Sequence, residues 1–297
     1  MPVTDSTTRS AANPDHQMPM PFQAAQDYAE MVMRWARELD DAQLQVQRRV
    51  AYGPDRLHYY NVFSPPGARG APVLVFWHGG GWTNGYPDFN TFMAPIVVRL
   101  GCVLVTPAYR LAPDHPLPAA FDDSLRALAH ISENIGQFGG AGGRLLLGGH
   151  SAGAHLAALV ALRPADRARA GLPTGAVRAC LPISGIMDLH HPAPEPGSLE
   201  ERVYSMVLTD SAQDAVMSPI CWTAGNRVPF HVSCGAQDSE RVRRSNTRMV
   251  ELLKLQSAPV SFSVLPGLDH FQNHTALRDG NHPWYQRLAQ QMQEFAP

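Results

Sequence analysis

At 297 residues, with 44% hydrophobic and 17% charged side chains, the chain has the composition of a soluble globular protein long enough to bury a sizeable core. A formal net charge of −2 gives nucleic acid or an anionic membrane no electrostatic reason to bind. Residues 1–21 contain no apolar signal-type core, and no run of 18 apolar residues follows, so neither a signal peptide nor a membrane span is expected, and a cytoplasmic location follows. The four cysteines (Cys102, Cys180, Cys221, Cys234) lack metal-type spacing, and three sit in apolar runs, which implies buried free thiols.

Residues 1–21, polar and Pro-containing, read as a flexible arm. Over 22–46, Tyr28, Met31, Val32, Trp35, Leu39, Ala42 and Val46 recur at helical spacing. That amphipathic helix is expected to pack on the core, and a helix in this place can also lean over a site. Gln45 to Tyr52 and Leu57 to Phe63, separated by Gly53-Pro54-Asp55, read as a hairpin.

Short apolar runs then alternate with helical segments. The strands are Pro72–Trp77, Cys102–Pro107, Leu145–Leu147, Val177–Ile183, Pro229–Cys234 and Val260–Leu265; the helices lie around 89–100, 117–135, 151 onward, 242–255 and 284–295. Apolar runs without polar alternation are what a parallel sheet covered on both faces requires. The expectation is an α/β fold: one domain over 1–297, with a mostly parallel central sheet of about eight strands and helices on both faces. Residues 185–224 are too long and irregular for an ordinary connection and are expected to form a small cap. Ligands are expected at the carboxyl ends of the strands.

The chemistry concentrates at those ends. Gly149-His150-Ser151-Ala152-Gly153 fits G-x-S-x-G, in which a serine on a strained strand-to-helix turn is held above the sheet and its neighbours must lack bulk. His78-Gly79-Gly80-Gly81-Trp82 follows the first parallel strand; its glycines let the N–H groups of Gly79 and Gly80 approach an oxyanion, with the N–H of Ala152 as the third donor. Asp238 follows the run ending at Cys234, and His270 follows the last strand. The order Ser151, Asp238, His270 suits a nucleophile, an orienting acid and a base. Asp269, Glu240, His274 and His282 are the substitutes. Asp188, Asp210 and Asp214 read as solvated or capping, His78 as a brace for the glycine loop and His155 as structural. Trp82 and His150 are candidates for the substrate pocket. Met187, Tyr204, Met206, Met217 and Trp222 are candidates for a cap wall.

With these residues assembled, the chain resembles the α/β-hydrolase fold esterases, more narrowly the hormone-sensitive-lipase-like carboxylesterases and the arylformamidases (kynurenine formamidases). His78 to Trp82 matches their HGGGW. Tyr109 to Pro116, with Pro118-Ala119-Ala120 and Asp122, matches YRLAPEHPFPAAxxD, in which prolines and a charged pair hold the loop behind the glycines. His150 replaces the Asp of the lipase-like GDSAG, and Gly149 to Leu156 resembles the arylformamidase elbow, as do Arg243 to Asn246 and Pro266 to Phe271. The arylformamidase loop often reads HGGYW instead. The similarity covers roughly residues 45–296. It implies a cofactor-independent serine hydrolase, without metal, cleaving a small-molecule carboxylic ester or aryl amide or formamide through an acyl-enzyme. The alternatives are an arylformamidase acting on N-formyl-kynurenine and, remotely, a non-catalytic small-molecule-binding member of the fold. The resemblance also allows a homodimer.

Overall fold

The computed structural model describes residues 17–294. Helix α1 (Gln23–Arg37) leads into the hairpin β1 (Gln45–Ala51) and β2 (Tyr59–Ser64), then β3 (Ala71–Trp77). A 3-10 turn over Pro87–Met93 and the short α2 (Ala94–Arg99) precede β4 (Val103–Pro107). The chain continues through α3 (Ala119–Asn134), β5 (Gly140–His150), α4 (Ala152–Leu162), α5 (Pro164–Arg169) and β6 (Val177–Ile183). The segment between β6 and β7 (Phe230–Gly235) holds only short turns of helix, among them α6 (Leu199–Arg202). The chain ends with α7 (Glu240–Lys254), β8 (Val260–Leu265), α8 (Gln272–Thr275) and α9 (Pro283–Glu294).

The eight strands form one sheet in the order β1-β2-β4-β3-β5-β6-β7-β8. Pairing is antiparallel at β1–β2 and β2–β4 and parallel from β4 through β8. The strands alternate between two cores. Val73, Val75 and Trp77 face the side covered by α3, α4 and α7; Leu74 and Phe76 face the side carrying α1, α2 and α9. Both faces are therefore apolar, as the uninterrupted runs required.

Three expectations need correction. The helix expected over 22–46 stops at Arg37, because Gln45 to Ala51 pairs with β2. Leu39 and Val46 still pack against the core, Val46 from strand β1, so their apolar spacing did not mark a continuing helix. The strand expected at 145–147 is 11 residues long, starting at Gly140. The arm expected over 1–21 lies, for residues 1–16, outside the described residues. Its remainder is held: the Gln17 amide donates to Gly85 O at 2.9 Å and accepts from Gly85 N at 2.8 Å, and Asn84 Nδ2 donates to Met18 O.

The segment over 185–224 lies on the carboxyl side of the sheet. It is tied down where Leu117 N donates to Val207 O (2.7 Å) and where His155 Nε2, on α4, donates to Met217 O (2.6 Å). Among the described residues no helix is long and apolar enough to cross a membrane.

Candidate active site

The turn from β5 into α4 sets the geometry. Ser151 has φ 55° and ψ −119°, outside the regions an L-residue adopts without strain, and its N–H is anchored on Ile183 O of β6 at 2.9 Å. The tightness explains the flanking glycines. A Cβ on Gly153 would lie 2.2 Å from Trp77 O and 2.5 Å from His78 O, so only hydrogen fits where α4 crosses the end of β3. The side chain of Ser151 consequently stands above the carboxyl edge of the sheet.

Two loops bring partners to it. His270, after β8, places Nε2 2.9 Å from Ser151 Oγ, and its Nδ1 lies 2.7 Å from Asp238 Oδ1, after β7. The other oxygen of Asp238 accepts from Ser184 Oγ (2.6 Å) and Gly235 N (3.1 Å). Burial pushes the Asp238 pKa up, but the hydrogen bonds from His270, Ser184 and Gly235 outweigh it, so the carboxyl titrates below its ordinary value. An ionised Asp238 fixes the tautomer of His270 with Nδ1–H toward the carboxylate and Nε2 free to accept from the serine hydroxyl.

The third element is the glycine loop. The backbone of Gly79 runs beside Ser151, so that a Cβ there would lie 3.2 Å from Ser151 Cβ. Gly80, at φ +122°, accepts from Thr83 N and Asn84 N, a turn so close that a Cβ would fall on Asn84 O. Ala152 is the first residue of α4, and its N–H has no intrahelical acceptor. His78 braces this loop: Nδ1 lies 2.8 Å from Gly79 O, the ring stacks on Tyr109 at 4.3 Å, and Tyr109 Oη donates to His78 O. Burial lowers the pKa of His78 to about 4, so it is neutral at neutral pH.

Of the two pocket candidates, both line the cavity that opens on Ser151, a space of about 320 Å³. Trp82 packs edge-on against His155 at 4.9 Å. His150 is held from behind: its Nε2 donates to the backbone carbonyl of His270 at 2.9 Å, and its ring stacks on His274 at 4.7 Å. Burial, helped by nearby His274 and His270, holds the His150 pKa well below its ordinary value. Behind it, Tyr28 Oη of α1 lies 2.8 Å from His274 Nδ1, and the Tyr28 ring stacks on Phe271 at 4.8 Å. The N-terminal helix thus packs on the core and also lines the cavity through Ala25 and Tyr28, with Met20 and Phe22 just before it.

Other candidates fall elsewhere. His274 sits in the layer beneath His270, Asp269 caps α8, Glu240 pairs with Arg244 on the exposed side of α7, and His282 lines a separate cavity beside α9. Asp210 caps a turn, Asp188 pairs with Arg248, and Asp214 bonds His190 and Tyr204. The charged pair behind the glycine loop is Arg110 with buried Asp123 (2.7 Å), which also takes His58; the motif's acid, matched above to Asp122, falls on Asp123 when PAAxxD is counted from Pro118, and Asp122 is exposed. None of Met187, Tyr204, Met206, Met217 and Trp222 lines the cavity. The 185–224 segment contributes Ile186, Leu199, Glu200, Arg202, Val203 and Val207 instead, while Met187 and Met217 are buried in the core. Sequence reasoning missed Ser184, Asn273 (Nδ2 to Ser184 Oγ, 2.9 Å) and Tyr28. Only Ser184 carried a signal, a polar residue immediately after β6.

The chain is similar to several known esterases. Esterase LipQ of Mycobacterium tuberculosis is 32% identical over 235 residues, 74% of this chain and 56% of its own. Carboxylic ester hydrolase LipN of the same organism is 41% identical over 109 residues, 36% of this chain and 29% of its own. The chain therefore spans about a third to a half of the length of such curated relatives. Among solved structures, the carboxylesterase EstE1, cloned from a metagenomic library, superimposes with a TM-score of 0.76 at 19% identity, covering 94% of this chain and 99% of that one. An esterase from the archaeon Pyrobaculum calidifontis gives a TM-score of 0.76 at 21% identity, covering 91% and 92%. A sequence profile of the α/β hydrolase fold matches residues 74–273, and the chain belongs to that family.

Proposed function

We propose that the protein is a serine hydrolase that cleaves carboxylic esters through an acyl-enzyme. The observation that carries this reading is the unbroken hydrogen-bonded chain Ser151 Oγ, His270, Asp238, opening on a largely apolar cavity beside the Gly79–Gly80 loop. Ser151 Oγ attacks the ester carbonyl as its proton passes to His270 Nε2. The imidazolium is stabilised by Asp238, and the tetrahedral oxyanion accepts from the N–H groups of Gly79, Gly80 and Ala152. Collapse breaks the bond to the alcohol oxygen, which takes the proton from His270. Water, deprotonated by the same nitrogen, then attacks the acyl-serine and releases the carboxylic acid. Relatives named as esterases and carboxylic ester hydrolases support the reaction class.

A second reading, hydrolysis of an aryl formamide, is favoured by the aromatic lining of the cavity (Phe22, Tyr28, Trp82, Phe89, Phe271) and by His150 in the elbow. Rates on p-nitrophenyl butyrate and N-formyl-kynurenine, measured side by side, separate the two. The reaction class itself is tested with Ser151→Ala: turnover of short p-nitrophenyl esters is expected to vanish, and undiminished hydrolysis would end the assignment.

A further inference from the structure

The cavity at Ser151 holds a guanidinium, that of Arg202, with which no carboxylate among the described residues pairs. Besides Tyr28 and the histidines His150 and His270, four charged side chains line it: Glu200, Arg202, Arg241 and Asp269. Arg241 lies 3.3 Å from Glu200 and also donates to Leu189 O, so those two charges satisfy each other. Asp269 accepts the N–H groups of Phe271 and Gln272 at the start of α8. Arg202 meets a hydroxyl instead: Nη2 donates to Thr83 Oγ1 at 2.9 Å, and among the described residues no carboxylate pairs with it. Its neighbours in the lining, Leu199, Val203 and Val207, are apolar. Burial alone lowers its pKa, with no carboxylate acting in the other direction. A guanidinium cannot shed its proton to escape such a setting, so it stays a partly desolvated cation awaiting an anion.

Its position fixes where that anion belongs. Thr83, which Arg202 grips, turns back on the glycine loop, with Thr83 N 3.2 Å and Thr83 Oγ1 3.4 Å from Gly80 O. The guanidinium is therefore linked through Thr83 to the loop that flanks Ser151, and it lines the same cavity.

We propose that Arg202 is a specificity residue and that the pocket selects esters carrying a carboxylate a few bonds from the scissile carbonyl. The inference rests on the hydrolase reading above. It adds that the favoured substrate is anionic, its carboxylate replacing water around the planar fork of Arg202 while the ester carbon is presented to Ser151. A neutral ester of equal size gains the same apolar contacts but leaves the cation unpaired.

The test compares isosteric pairs by pH-stat: monomethyl against dimethyl glutarate, with the acid on the acyl side, and 3-acetoxybenzoate against its methyl ester, with the acid on the alcohol side. Wild-type protein is expected to prefer the anionic member of at least one pair by about 10–100-fold in kcat/KM, the range of a hydrogen bond to a charged group. That preference should shrink with added salt, collapse toward unity in Arg202→Gln and return in part in Arg202→Lys. Equal rates on both members of both pairs in the wild type overturn the proposal, as does a preference that survives Arg202→Gln. Should Arg202→Gln fail to fold, the wild-type ratios and their salt dependence still decide. Hydrolysis of none of the four esters, or hydrolysis retained by Ser151→Ala, overturns the underlying reading and this one with it; hydrolysis without charge preference removes this one alone.

Discussion

The bond from His150 to the backbone of His270 gives the sharpest prediction. His150 is buried and neutral, and its Nε2 donates at 2.9 Å to the carbonyl of the very residue proposed as base. Replacement by Phe keeps the ring volume but leaves that carbonyl without its donor, a cost of about 1–3 kcal/mol for a buried polar group. The loop can recover part of this only by moving, and movement lengthens the 2.9 Å contact from His270 Nε2 to Ser151. If the full cost reaches the transition state, kcat/KM falls about 10–100-fold. His150→Gln carries an amide nitrogen at nearly the reach of the imidazole Nε2 and should restore most activity. His150→Asp offers only acceptors to a carbonyl and should do worse than Gln, although the related lipase-like pattern carries Asp there. The assay is kcat/KM on p-nitrophenyl butyrate with a thermal melt of each variant. Activity of His150→Phe within twofold of wild type, or a Gln variant as impaired as Phe, refutes the reasoning.

Other outcomes follow from the same coordinates. His78 and His155 have pKa values lowered by burial to about 4, His274 to about 3, and His150 is depressed as well. Because the folded values lie below the unfolded value near 6.5, the unfolded chain binds more protons beneath that pH; stability is full above about pH 6.5 and declines toward pH 4. The loss by pH 5 is about 1–2 kcal/mol per histidine, and a melting temperature unchanged between pH 7.5 and 5 contradicts it. Asp238→Asn removes the charge that fixes the tautomer of His270, so steady-state kinetics should show kcat reduced on the order of 10⁴-fold, the size known for such a change in a serine protease. Gly153→Ala would set a methyl 2.2 Å from Trp77 O. Backbone on both sides leaves little room to yield, and calorimetry should find a melting temperature lower by roughly 5 °C or more.

Much of the site was legible because the chemistry sits at strand ends and the strands announce themselves. The apolar runs ending at Trp77, Cys234 and Leu265 marked where Gly79, Asp238 and His270 would follow, and topology brought them together. The pairing of Arg110 was also legible, since the PAAxxD spacing counted from Pro118 ends on Asp123, the aspartate that α3 turns inward. The support beneath the triad was less visible. Tyr28 looks like any apolar-face residue, and its hydroxyl matters only because α1 crosses 246 residues of sequence to meet His274. The cap misled for a related reason. Methionines suggested an adaptable wall, yet Met187 and Met217 anchor the segment to the core, and shorter side chains face the cavity.

The join between α1 and the loop of His270 has an evolutionary and engineering consequence. Phe22, Ala25 and Tyr28 line the cavity that opens on Ser151, while Tyr28 also leans on Phe271, next to the proposed base, and on His274 one helical turn further on. Grafting the opening stretch of a cousin onto this body would alter which molecules enter and, through one aromatic ring, the speed at which they are processed. On the hydrolase reading selectivity and throughput are mechanically yoked, and any redesign of the entrance has to carry residue 28 and its two ring partners together.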